Sequence, residues 1–228
     1  AATFKSDTES LTFATSKIDL ADGANLTVSS SGGAITIAGI AGHSAETVTI
    51  NAGADATDTE TVSLGDVGDS GHAQIHNLTV TADDGITLTG AIYTAHDTSA
   101  ADITFNDKVL IDGTVVIDSN DDANDGAIVF TTSIDGVTGG VATDALTING
   151  GTGAITLQTI GANTALTTLD INTASTSTAA LTVPAITTTG AVNIGNSNTT
   201  SLTLNAAAYS TGGATDYEAA AGNTILLT

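Results

Sequence analysis

The chain has 228 residues, enough to bury a continuous core, but its 25 acidic residues face only three cations, Lys5, Lys17 and Lys108, for a net charge of −22. That balance excludes nucleic-acid binding and phosphate handling, which need Lys or Arg, and it sets the chain against anionic membrane surfaces. With no Cys, disulfides, thiol catalysis and thiolate metal sites are excluded as well.

In chain order the predicted strands are 11–14, 17–20, 25–29, 34–38, 47–51, 61–64, 74–81, 86–89, 102–105 and 108–111. They continue with 114–118, 127–132, 145–149, 154–158, 166–172, 180–183, 191–194, 201–205 and 224–227. Each is short, rich in β-branched residues and bounded by Gly, Asn, Asp or Ser. Alternation such as Leu26-Thr27-Val28 sends aliphatic residues inward and Thr outward. The inward set includes Ile35, Ile37, Ile50, Val80, Leu88, Ile128, Ile148, Ile155, Leu157, Ile171 and Val183. Alanines are interrupted by Gly, Ser and Thr, which disfavour helix. The best helical candidate is Tyr217-Glu218-Ala219-Ala220-Ala221, barely one turn.

Two phrases repeat. One opens on Gly33-Ala34-Ile35, Gly85-Ile86, Gly126-Ala127-Ile128, Gly153-Ala154-Ile155 and Gly190-Ala191-Val192; the other is an apolar-Thr-apolar triplet, as in Val48-Thr49-Ile50 and Leu202-Thr203-Leu204. Repeating strands without intervening helices predict an all-β parallel β-helix, a β-solenoid forming one elongated domain over residues 1–228. The alternative is an antiparallel β-sandwich or jelly roll. The Gly-Ala-Ile phrases start unevenly along the chain, as expected if some intervals hold one coil and others two. With roughly 20–25 residues per coil, about ten coils are expected.

The stretch from Val109 to Gly195 carries a family likeness. Thr114-Val115-Val116-Ile117-Asp118, Asp125-Gly126-Ala127-Ile128-Val129-Phe130 and Ala145-Leu146-Thr147-Ile148-Asn149-Gly150-Gly151 resemble large secreted bacterial β-strand-repeat exoproteins. Leu166-Thr167-Thr168-Leu169-Asp170-Ile171 and Thr187-Thr188-Thr189-Gly190-Ala191-Val192 add to it. These are similar to the passenger regions of autotransporter and filamentous-haemagglutinin adhesins. The resemblance implies a right-handed parallel β-helix at the cell surface, used for adhesion or as a stalk.

One polar cluster suits a cation. Asp118, Asn120, Asp122 and Asn124 recur at every second residue, with Asp125 and Gly126 next. Alternate oxygen ligands in a Gly-containing loop suit Ca²⁺, although no Glu follows as in an EF-hand; a solvated acidic turn is the other reading. Asp55, Asp58 and Glu60 form a looser acidic run, and His72 and His76 share a strand face without the Glu of a zinc-protease motif. No Gly-x-Ser-x-Gly elbow or Gly-rich phosphate loop appears, and a chain with three Tyr and no Trp offers few platforms for sugar stacking. The expectation is a non-enzymatic protein that requires no cofactor, with Ca²⁺ as an optional ligand. The outward Thr residues raise an ice-binding face, but intermediate positions vary among Thr, Asn, Asp and Val, so an incomplete ladder is expected.

The predicted function rests on the ends. Ala1-Ala2-Thr3-Phe4 reads either as a mature end left by cleavage after small residues or as an arbitrary start. Phe4, Leu11 and Phe13 near one end, and Ile225, Leu226 and Leu227 near the other, are apolar in strand-like stretches. A free Ile-Leu-Leu tail would be an aggregation hazard, so it is expected to be buried by its own last coil or by a neighbouring copy. Unpaired strand edges template pairing with another chain. The expectation is a secreted, cell-surface structural subunit that stacks head to tail into a filament, sheath or surface layer. An adhesin or glycan-binding module is the alternative, and a polysaccharide-active enzyme a remote third. Membrane insertion is not expected, since no apolar stretch approaches the roughly 20 residues of a span.

Overall fold

In a computed structural model the chain forms an all-β solenoid of parallel strands, with no helix among the described residues. The structure describes all residues except 44, 54–58, 70–73, 97, 121–123, 138–142 and 176–177. The strand pairs are parallel, and away from the ends of each sheet a strand lies between the one a turn earlier and the one a turn later. The antiparallel sandwich is thereby set aside. There are about nine turns, each 21 residues (Leu181 to Leu202) to 31 residues (Ile117 to Ile148) long by register.

Three strand positions recur in each turn and define three faces. The first face runs Ala2–Ser6, Leu26–Ser30, Thr47–Ala52, Asn77–Thr81, Ile103–Phe105, Ile128–Phe130 and Ile155–Thr156 as one sheet. After a break it resumes as Leu181–Val183, Leu202–Leu204 and Ile225–Leu227. The second face contains Leu11–Phe13, Ile86–Leu88, Val109–Ile111 and Ile134–Gly136, and later Ile186–Thr188 with Tyr209–Thr211. The third contains Ile18–Asp19, Ile92–Tyr93, Thr114–Asp118, Ala145–Asn149, Thr168–Ile171, Val192–Gly195 and Thr215–Glu218. The longer strands Ile35–Ala41 and Val62–Val67 turn the corner between the second and third faces, joining them into one 13-stranded sheet.

The alternation sets which side chains stack inside. In Leu26–Ser30 buried and half-buried residues alternate, with Leu26 and Val28 inward and Thr27 outward. Stacking in register then builds aliphatic columns, such as Val28–Ile50–Val80, which continue into Phe105 and Phe130. Those two rings are wholly buried and stack with centroids 5.2 Å apart. Each fully buried Val, Ile or Leu contributes about 1.5–3 kcal/mol. Ten of the eleven expected core residues are buried; Leu157 is only partly so and packs against the core.

Outward on the first face stands a column of threonines. Thr3, Thr27, Thr49, Thr79 and Thr104 are successive register partners, followed by Val129 and Thr156. Beyond the break Thr182 and Thr203 pair, and Leu226 ends the column. The variation that suggested an incomplete ladder lies mainly in other columns, such as Asn51 beside Ser29 and Thr81.

Corners use residues that tolerate unusual backbone. Asn172 lies in the left-handed region at φ 52°, and one residue past the paired Ile194 in the next turn Gly195 has φ 80°. Asn172 is wholly buried; its side chain accepts from the Gly150 N–H at 2.7 Å and donates to the Gly151 carbonyl at 3.3 Å. A Cβ on Gly195 would come within 2.2 Å of the Glu218 carbonyl oxygen.

The stretch that came nearest to a helix signal, 217–221, begins inside a strand. Thr215–Glu218 is a strand paired with Val192–Gly195, because Tyr217 continues the inward column of Ile171 and Ile194. Among the described residues no helix is long and apolar enough to cross a membrane.

Candidate functional site: end faces and acidic corners

At one end of the solenoid, Ala2–Ser6, Leu11–Phe13 and Ile18–Asp19 each pair with a strand on one side only. Their inward residues have no turn of this chain above them. Phe4 is 41% exposed and meets Phe13 edge-on, with ring centroids 5.1 Å apart. Leu11, Phe13 and Ile18 are partly buried against the core beneath. The sequence-predicted residues Phe4, Leu11 and Phe13 are thus brought together as one apolar cross-section.

At the other end Ile225–Leu227 pairs with Leu202–Leu204, and the Thr228 N–H donates to the Leu204 carbonyl at 3.2 Å. This strand does join its own last coil, but the expected burial of its side chains is not achieved within the chain. Ile225, Leu226 and Leu227 are 43%, 48% and 73% exposed, while Phe4 is the other exposed large hydrophobic among the described residues. Beside them Tyr209 and Tyr217 meet edge-on at 6.4 Å. The two apolar sets lie at opposite ends of the coil.

Of the acidic stretch, Asp118 closes the strand Thr114–Asp118, and Asn120, Asn124 and Asp125 are described beyond it. Asp118 accepts from the Asn120 N–H at 2.9 Å and from the Asn149 carboxamide at 3.1 Å. Burial pushes its carboxyl above the usual carboxylate range and the Asp125 charge adds to that, outweighing the two hydrogen bonds. Asp125 accepts from both the N–H and the hydroxyl of Thr152, at 2.6 and 2.7 Å. The Asn120 and Asp125 side-chain oxygens converge over Gly151, where a Cβ would lie 2.5 and 2.3 Å from them. A cavity of about 80 Å³ beside the loop is lined by Gln74, Tyr93, Thr94, Asp118 and Asn120. Asp122, the central residue of the expected calcium loop, lies outside the described residues, as do Asp55, Asp58 and His72. Among the described residues no three His, Asp or Glu side chains are grouped to hold a metal ion. His76 stacks on His96 with centroids 4.1 Å apart, and both rings reach the Ser99 hydroxyl.

Sequence reasoning missed the buried acids. Glu46 is wholly buried and accepts from the N–H groups of Gly23, His43 and Ala45 at 2.9, 2.7 and 3.2 Å. Burial opposes its charge, but these amides hold its carboxyl below the usual range. Asp135 is likewise disfavoured by burial yet held low by Asn163, Thr164 and Ser133. Asp144 accepts from Gly113 and Val137 at 3.2 and 3.0 Å. Each of these carboxylates takes at least one donor from a neighbouring turn, Gly23, Asn163 and Thr164, or Gly113, and local donors such as His43, Ala45, Ser133 and Val137 complete the set.

The third face carries a polar groove. It measures about 300 Å³ and is lined by Asp170, Thr173, Asn193, Asn196, Asp216 and Glu218 along with Gly195. Asn193 donates to Asp170 at 2.6 Å. No family model, curated protein or solved structure matches this chain.

Proposed function

We propose that the protein is a non-enzymatic, extracellular structural subunit of a cell-surface filament, sheath or surface layer, growing by head-to-tail pairing of solenoid ends. The observation that supports this reading is the pair of open apolar end faces: Phe4 with Leu11 and Phe13 on one, Ile225–Leu227 on the other. Each presents backbone groups of an edge strand, the usual template for β-augmentation. Heterologous contacts of this kind generate open filaments. The resemblance to autotransporter and filamentous-haemagglutinin passenger regions agrees with a secreted surface role. Ca²⁺ enters as a counter-ion at the acidic corner, and no residue is assigned to catalysis.

Removing residues 224–228 tests it. The shortened protein stays folded by circular dichroism and stays monomeric by light scattering. Filaments from the shortened protein would place the contact elsewhere, and unfolding would make the last strand an internal cap.

A second reading has its own observation. The groove at Asp170, Asn193 and Asp216 offers carboxylate and amide groups suited to sugar hydroxyls, which supports an adhesin or glycan-binding role. Loss of glycan-array binding in Asn193→Ala, with assembly intact, would favour it.

A further inference from the structure

We propose that the threonine face is where two copies of the protein pack side by side. The inference rests on the structural-subunit reading and supplies its lateral contact. Charge carries the argument. A chain with net charge −22 repels its own copies, so lateral packing needs a face without acids. The strands of the first face contain no Asp or Glu, and Lys5 is their one charged residue. The third-face strands, by contrast, present Asp19, Asp66, Asp118, Asp170, Asp216 and Glu218, whereas the second-face strands hold one acid, the buried Asp135, so the first face is set apart from the second by its threonine column rather than by charge.

Size agrees. Ten strands stack on the first face, which at ~4.8 Å per strand makes it about 43 Å long. These strands run from two to six residues and average about four, a width of about 13 Å, for roughly 550 Å² per copy or about 1,100 Å² for a facing pair. A specific interface is expected to clear about 1,000 Å² in total. The outward residue is Thr in eight of the ten strands, from Thr3 to Thr203, with Val129 and Leu226 as the exceptions. Thr offers a methyl group for dry packing between facing sheets and a hydroxyl that can pair across them.

The absence of Cys makes the test clean. Thr104→Cys places the sole thiol mid-face, and Thr87→Cys places it on the second face as a control. A short bismaleimide cross-links Thr104→Cys into dimers and leaves Thr87→Cys monomeric. The double variant Thr79→Lys/Thr104→Lys keeps the circular dichroism spectrum but weakens lateral association at least tenfold in sedimentation. Filaments one solenoid wide, unaffected by the lysines, overturn the lateral contact while sustaining head-to-tail growth. Side-by-side dimers without filaments do the reverse. If the lysines instead abolish pelleting with an insoluble neutral polysaccharide, or inhibition of ice growth, while self-association is unchanged, the face serves that partner and the proposal fails.

Discussion

The Asn77 carboxamide oxygen accepts the backbone N–H of Asp102 at 2.8 Å, and the Asp102 carboxylate accepts the N–H of Ala127 at 2.7 Å. Each bond joins a corner to the corner one turn on. Asn25 does the same for Thr47 at 2.8 Å. Backbone donors just outside a strand have no ladder partner, and buried or half-buried donors need one. Asx and Glu side chains supply it here, so much of the acidity of this chain is structural.

Acid should therefore weaken the fold by a definable route. Glu46 and Asp135 have carboxyl groups held low in the folded state. Their contribution is present above the unfolded values, near about pH 4, and is lost as pH falls through the folded ones. At pH 7 Glu46→Gln is expected to cost about 2 kcal/mol, or about 6 °C in Tm. The gap from the parent protein closes as pH falls below about 4. A gap independent of pH from 7 to 3 would mean the charge is not what binds the three amides.

Asp118 runs the other way. Its carboxyl is held above the usual range, so its share of stability is complete below the unfolded value and lost as pH rises through the folded one. The Tm of Asp118→Asn, relative to the parent, is expected to rise as pH increases from below about 4 toward neutrality. A flat difference across that window would show that the burial of Asp118 is inconsequential.

The stacked aromatic pair anchors the middle of the core. Phe105→Ala removes a wholly buried ring from beside Phe130 and is expected to cost about 3–5 kcal/mol in denaturant unfolding. A cost under about 1 kcal/mol would mean the neighbouring columns collapse into the space.

How far the sequence could be read follows from what each strand presents. Leu26-Thr27-Val28 and Val48-Thr49-Ile50 announce both their strand character and their inward side, and the structure pairs them in register. Ile134–Gly136, Ile186–Thr188 and Tyr209–Thr211 were missed, because Gly, Ser and small residues around them read as turns. The Gly-Ala-Ile phrase misled on period. Ile35 lies on the second face, Ile128 on the first and Val192 on the third. A turn-entry signal used at all three corners cannot measure a single coil. The end residues were legible as apolar strands. The bond from the Gly23 amide to Glu46 was not, since Gly23 lies 23 residues away.

Salt and calcium separate general repulsion from specific binding. Raising ionic strength is expected to raise Tm, because screening relieves self-repulsion at net charge −22. Millimolar Ca²⁺ at matched ionic strength adds a further increment, and Asp125→Ala removes that increment alone. Equal Tm in chelator and in Ca²⁺ would leave the 118–125 corner a solvated acidic turn.

Electron microscopy of the purified 228-residue protein tests end-to-end assembly most directly. About nine turns at ~4.8 Å make a rod about 43 Å long. The account predicts unbranched fibres many rods long, with a ~4.8 Å repeat along the fibre axis. Separate rods about 43 Å long at every protein concentration, with and without salt or Ca²⁺, would contradict it.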